Sequence, residues 1–374
     1  MKFAITDSPF KKDLQQQVDA YFANGRSRNA TRALWIKAAF WLSSVFALWG
    51  VLVFAPIPAW LGAILALLAG FSIAQVGFNV GHDAIHGSLS SNPNVNAIFA
   101  RSFDVMGASS RMWAWAHNVV HHTYTNVPGT DHDLEPGFYL RFYPKNSRGF
   151  LHRFQHVYAF ALYFLTMLVW VFKKDFAQLI ERGRATTRRD VIDVIAGKLL
   201  HWAFWIGVPM LLSPFAWWQV LIGYVLVLAM TGFTAAVVFQ MAHVVEGPDF
   251  PKAKTKASAD GREPGEPVLD GDFYAHQLAT TANFAPGSAV ATFFTGGLNH
   301  QVEHHLFPRI AHIHYPALAP IVKACAEKHG VPYLAHKSFL AAMASHVRVL
   351  KKFGAGDELE LGPPPFRTAE APAR

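Results

Sequence analysis

Nineteen histidines are many for 374 residues, yet their positions say more than their number. Three sets stand out: His82 and His86 in GHDAIHG, His117, His121 and His122 in HNVVHH, and His304 and His305 in HQVEHH. Residues four apart share a helix face, so His82 with His86, and His117 with His121, each aim two imidazoles at one locus. In the third set Gln301, His304 and His305 stand in an i, i+3, i+4 relation, which makes Gln301 a direct or water-mediated ligand candidate. Neutral imidazole suits iron, copper, zinc and nickel, and these seven rings exceed what one metal accepts. Two metals are implied. A lone histidine beside an apolar segment is more often hydrogen-bonded than ligating, but three convergent sets are not explained that way. His243, in VFQMAHVVE, lies where the sets must meet and is an eighth candidate. His300 is one residue out of phase and reads as a non-ligand. His152, His156, His201, His312 and His314 read as structural, and His132 and His276 as supporting candidates.

The carboxylates fit a supporting role. Asp83, Asp131, Asp133 and Glu303 lie within or just after the histidine sets, where they can accept the second imidazole N–H and fix ring orientation. Paired Glu-x-x-His motifs, the pattern of soluble carboxylate-bridged metal bundles, do not occur, and neither does HExxH. Cys325 is the only cysteine, which excludes a multi-thiolate site and an intrachain disulfide.

The elements that must position these rings are apolar. Hydrophobic residues make up 52% of the chain and charged residues 16%. No Asp, Glu, Lys or Arg occurs from Ala38 through His82 or from Leu199 through Val245. Each stretch is about twice the roughly 20 residues of a membrane-spanning helix and is broken by a Pro-containing turn. The reading is an all-α integral membrane protein, with four transmembrane helices in two hairpins (about 34–54, 60–80, 191–212 and 217–239) and a cytoplasmic helical cap carrying the histidines. Segments 94–115 and 157–172 are expected to lie in the interface. A crossing at 157–172 would put the histidines before and after it on opposite sides. Residues 1–32 read as a cytoplasmic lead-in without a signal peptide, 33–345 as the membrane domain, and 346–374 as a disordered tail. Lys11, Lys12, Arg26, Arg28, Arg32 and Lys37 precede the first span while the hairpin tips carry no charge, so both termini and the site are expected to face the cytoplasm. The net charge of +8 therefore reflects membrane topology, and no nucleic-acid partner is expected.

With these features assembled, the sequence resembles the membrane fatty acid desaturase family, whose signature is three histidine boxes. His82 to His86 match H-x(3 or 4)-H, His117 to His122 match H-x(2 or 3)-HH, and Gln301 to His305 match (H or Q)-x2-HH. The resemblance covers roughly residues 34 to 315. It implies a non-haem di-iron centre that uses dioxygen, two electrons and two protons to convert CH2–CH2 into CH=CH and two waters. The glutamine heading the third box, followed by VEHHLFP, is similar to the front-end subgroup that includes linoleoyl-CoA and Δ5 or Δ6 desaturases. The HPGG haem motif of fused cytochrome b5 domains does not occur, so electrons are expected from a separate donor, such as cytochrome b5 or ferredoxin with its reductase. The acyl substrate is expected on CoA, a carrier protein or a membrane lipid. Trp113 and Trp115 are candidates for the acyl tunnel, because position alone can set regiochemistry on a featureless chain. The competing readings are a membrane hydroxylase or ketolase with the same metals, and a metal transporter, which would carry its ligands inside the spans.

Overall fold

A computed structural model of the chain describes residues 1–144, 146–257 and 264–356. It is mostly helical, and among the described residues four helices are long and apolar enough to cross a membrane: Arg32–Phe54, Ala59–Ile85, Arg188–Leu212 and Trp217–His243. The first pair is joined through Ala55–Pro58 and the second through Ser213–Ala216. In lipid, apolar surface gives no drive for helices to associate, so close backbone packing must supply it. The second span provides this with small residues at four-residue spacing, Gly62, Ala66 and Gly70, on the side facing the fourth span. A Cβ on Gly70 would lie 2.3 Å from the Val227 carbonyl oxygen. Thr231 Oγ1 adds a bond across the same contact, donating to the Gly70 carbonyl at 3.0 Å.

Two of these spans run past the boundaries expected from composition. The second continues through a π-helical turn, Gly77–Gly81, to Ile85, and the fourth ends only at His243. The backbone bonding is unbroken although the residues turn polar, because Asn79, His82, Asp83 and His243 are buried by protein rather than exposed to lipid. His82 and His243 thus sit on the ends of span helices rather than beyond them.

Around that end of the bundle the chain builds a cap. The expected interfacial segment 94–115 is three short helices, Pro93–Ala100, Ser102–Met106 and Ser110–Trp113, followed by a π-helical segment Ala114–His121. The break is at Gly107, whose φ of +101° and close contact with Val171 and His201 no side chain would tolerate. Residues 157–172 fall in a bent pair, Phe150–Tyr163 and Thr166–Glu181, with an angle of 71° between the halves.

The N-terminal helix, Pro9–Phe22, packs Phe10, Leu14 and Val18 with Val302, Leu306 and Val322, covering the third histidine set from outside. The expected tail also differs. A helix runs from Phe339 to Ala355, past residue 346, because Ser345, His346, Val349, Leu350 and Phe353 form a buried stripe at helical spacing. The rest of that tail, from residue 357, lies outside the described residues. Small sheets tie the cap together: Lys2–Phe3 pairs with Val268–Leu269, and Asn283–Phe284 pairs in parallel with Ala335–His336.

Candidate metal centre

The eight candidate histidines come from four separated stretches of chain, and the fold brings all of them into one buried chamber. Two loci are distinct. The ring nitrogens of His82, His86, His117 and His304 lie within 4.8 Å of one another, and so do those of His121, His243 and His305. His122 groups with His304 and His305, between the two. A pair of cations fits this division, with four rings at one position, three at the other and His122 between them.

Local structure explains how the rings converge. His82 begins the helical turn after the π segment and His86 caps it, leaving their ring centroids 4.7 Å apart. The second set lies at the end of a π-helical segment, where the N–H of His122 bonds the carbonyl of His117 at 2.9 Å. This adds a contact to the expected pairing of His117 with His121, whose ligand nitrogens still lie within 4.8 Å. At π spacing His117 meets His122, with Nε2 atoms 3.1 Å apart, while His121 turns toward the second locus. π-Helical insertions recur at functional sites because they re-aim side chains without ending the helix. The third set is seated by the turn before it. Gly296 (φ +59°) passes so close to the second span that a Cβ would lie 2.4 Å from the Phe78 carbonyl oxygen.

Four of the outward nitrogens are held by the protein. His121 Nδ1 donates to Asp131 Oδ2 at 3.0 Å and His305 Nδ1 to Gln277 Oε1 at 2.9 Å. The Tyr315 hydroxyl lies 3.2 Å from His304 Nδ1, and His243 Nδ1 faces the Thr280 carbonyl at 3.4 Å. The inward nitrogens are left over. His86 Nε2, His121 Nε2 and His304 Nε2 are buried with no hydrogen-bond partner among the described residues. Buried polar atoms without partners are costly and rare, and several converging ones are what a cation site looks like without its ion. The Nε2 atoms of His82 and His117 also approach to 3.3 Å, the spacing of ligands sharing a metal rather than of packed core rings.

Electrostatics agree with ligation by neutral rings. Burial holds His86, His117, His122, His304 and His305 well below the usual imidazole range, and the neighbouring rings push in the same direction. His121 goes the other way: burial opposes its charged form, but Asp131 and then Asp133 outweigh it and raise its pKa. A carboxylate behind an imidazole strengthens the ring as a ligand.

Other expected positions fall as follows. Gln301 turns its amide to the second locus, 3.1 Å from His243 Nε2 and 3.4 Å from His305 Nε2. Asp131 supports a box ring, but Asp83 does not, because His312 Nδ1 takes its Oδ2 at 2.8 Å. Glu303 instead accepts from Asn283 Nδ2 and the Tyr333 hydroxyl, both at 2.8 Å, which moors the third set's helix to the Asn283–Phe284 strand. Asp133 is taken by Lys174 at 3.1 Å. Trp113 stacks on His117 with centroids 4.0 Å apart, while Trp115 meets His132 and the Arg182 guanidinium. His132 pairs with Glu181, and His276 lies edge-on to Phe3, outside both loci. Gln277, Tyr315 and the Asp83–His312 pair were not singled out by spacing. A glutamine or tyrosine in a cap helix has no periodic signature until its partner is known.

The Fatty acid desaturase family model matches residues 58–337. Curated relatives include the sn-1 linoleoyl-lipid 6-desaturase of Synechocystis sp., 34% identical over 92% of this chain and 95% of that protein. The sn-1 linoleoyl-lipid 6-desaturase of Arthrospira platensis is 32% identical over 93% and 94% of the two chains, and the Delta(5) fatty acid desaturase A of Dictyostelium discoideum 32% over 94% and 76%. With all three histidine sets inside the matched region, the chain belongs to the fatty acid desaturase family.

Proposed function

We propose that this enzyme places a cis double bond in the acyl chain of a membrane lipid, using two irons held by His82, His86, His117, His121, His122, His243, His304 and His305. The observation that carries the reading is the division of eight buried rings between two loci, with nitrogens facing inward unpartnered. Gln301 is assigned to the second iron, directly or through a water. When bound, such a pair supplies the reduction of dioxygen and the hydrogen abstraction that no side-chain acid or base can perform.

The chain's own residues do the rest. Asp131, Gln277, Tyr315 and the Thr280 carbonyl fix which ring nitrogen points inward. The stacked Trp113, with Phe103 against its other face, holds His117 flat. Cap helices from both ends of the chain exclude water from the rings. The lipid-linked, front-end assignment is supported by the acyl-lipid names of the relatives and by Gln301 at the head of the third box.

Two hairpins and positively charged segments before the first span support a topology with both termini and the chamber on the cytoplasmic side. There a separate reductant, cytochrome b5 or ferredoxin with its reductase, supplies electrons. The test is gas chromatography with mass spectrometry of host lipids after expression, alongside iron analysis of the purified protein. A new unsaturated acyl chain and about two irons per chain are expected. A hydroxylated product would move the enzyme to the hydroxylases that share this metal logic, and metal uptake with unchanged fatty acids would favour a transporter.

A further inference from the structure

At the opposite end of the bundle residues of all four spans line a half-open cavity of about 150 Å³. Trp49, Ala63, Trp205, Phe215, Gly223 and Tyr224 are among the residues that line it. It is separate from the chamber. Tyr224 lies 19 residues before His243 on one helix, about 28 Å along the axis. Its lining is mostly apolar, which suits a hydrocarbon occupant.

We propose that this cavity holds the ester-proximal part of one acyl chain of a bilayer glycerolipid. Three features select that occupant. The lining residues Trp218 and Ile222 are themselves half exposed on the outside of the bundle, where hydrocarbon is the solvent. Trp60 and Trp217, exposed at the span tips, mark the headgroup level, where indoles settle in bilayers. Between the third and fourth spans, Ser213 also lines the cavity, and its hydroxyl is buried without a partner among the described residues. A chain entering from the tips would bring its glycerol ester carbonyl to that donor.

The lining is also tied to the cap. Trp205 Nε1 donates to the Val105 carbonyl at 3.0 Å. Tyr224 donates to His201 Nε2 at 2.8 Å, and His201 Nδ1 donates to the same carbonyl at 2.8 Å. The residues that would touch the lipid therefore also brace the turn leading into the second histidine set.

The test uses the full chain in lipid nanodiscs with a phosphatidylcholine carrying a diazirine close to the ester end of one chain. Label is expected on peptides containing Trp49, Ala63 and Gly223. A Cβ at Gly223 meets nothing within 4 Å, so Gly223→Leu fills the cavity without a backbone clash. It should cut that labelling about tenfold, a loss of roughly 1.4 kcal/mol of binding, and leave iron content unchanged. If this variant does not insert, Ala63→Val replaces it with the same expectation. Wild-type protein unlabelled on these peptides, labelling undiminished in the variant that inserts, or displacement by cholesterol but not by unlabelled phosphatidylcholine would overturn the proposal. The readout is independent of desaturation, so it stands or fails apart from the assigned reaction.

Discussion

The two ends of the same four helices solve opposite problems. At the histidine end the second and fourth spans bury Asn79, His82, Asp83 and His243, polar groups that hydrocarbon does not tolerate, and a cap encloses them. At the tips, Trp60, Leu211 and Trp217 stand exposed with no cap, and only small-residue packing and a cavity lie behind them. The difference shows where the molecule has concentrated constraint. In the chamber, ring orientation is set by named partners such as Asp131 and Gln277, whereas the exposed side chains at the tips make few specific contacts.

Mutations can break or sharpen that contrast. His121→Ala, His304→Ala and His86→Ala are each expected to lower desaturation by more than about 100-fold, beyond the 10–100-fold typical of residues behind the ligands. Each should also lose iron while remaining inserted, read by product analysis and metal content; substantial activity in any one would remove that ring from the ligand set. Asp131→Ala and Gln277→Ala come next, with losses of about 10–100-fold in iron affinity or activity, measured by titration with chelator.

A third measurement follows from the depressed rings. In metal-free protein the folded state binds fewer protons than the unfolded state below about pH 6.5, so stability is full above that value and falls as pH drops. Each neutral ring contributes a slope of up to about 1.4 kcal/mol per pH unit. His121, whose pKa is raised, contributes with the opposite sign: its share is full below about pH 6.5 and is lost as pH rises through its folded value. Five rings against one predict net acid destabilisation in thermal melts, and a flat profile between pH 7 and 5 would contradict the enclosed, neutral chamber.

Gly296→Ala should cost about 1–3 kcal/mol, because it combines a left-handed backbone with a clash on Phe78. At the tips, Trp60→Ala should shift stability by no more than about 0.5 kcal/mol. A Trp60 effect as large as that of Gly296 would erase the distinction between the two ends.

The sequence by itself determined the four apolar helices and the three histidine sets that could hold metal, because hydropathy and ligand spacing are local properties of the chain. Asp131 behind His121 was legible for the same reason, being only ten residues away. The tertiary structure alone decided which rings share a locus. The π-helical segment brings His122 onto His117 in addition to His121, and a slip of that kind leaves no trace in residue spacing. It also decided that Asp83 and Glu303 serve His312 and Asn283 instead of the boxes, and that Gln277 and Tyr315 orient the third set. The helix that carries the chain past residue 346 was missed for a related reason: its buried stripe makes sense only against the Phe250 and Tyr163 surfaces it packs on. Contacts between residues a hundred or more positions apart depend on how the helices cross, and crossing geometry is a property of packed surfaces that no single stretch of chain contains.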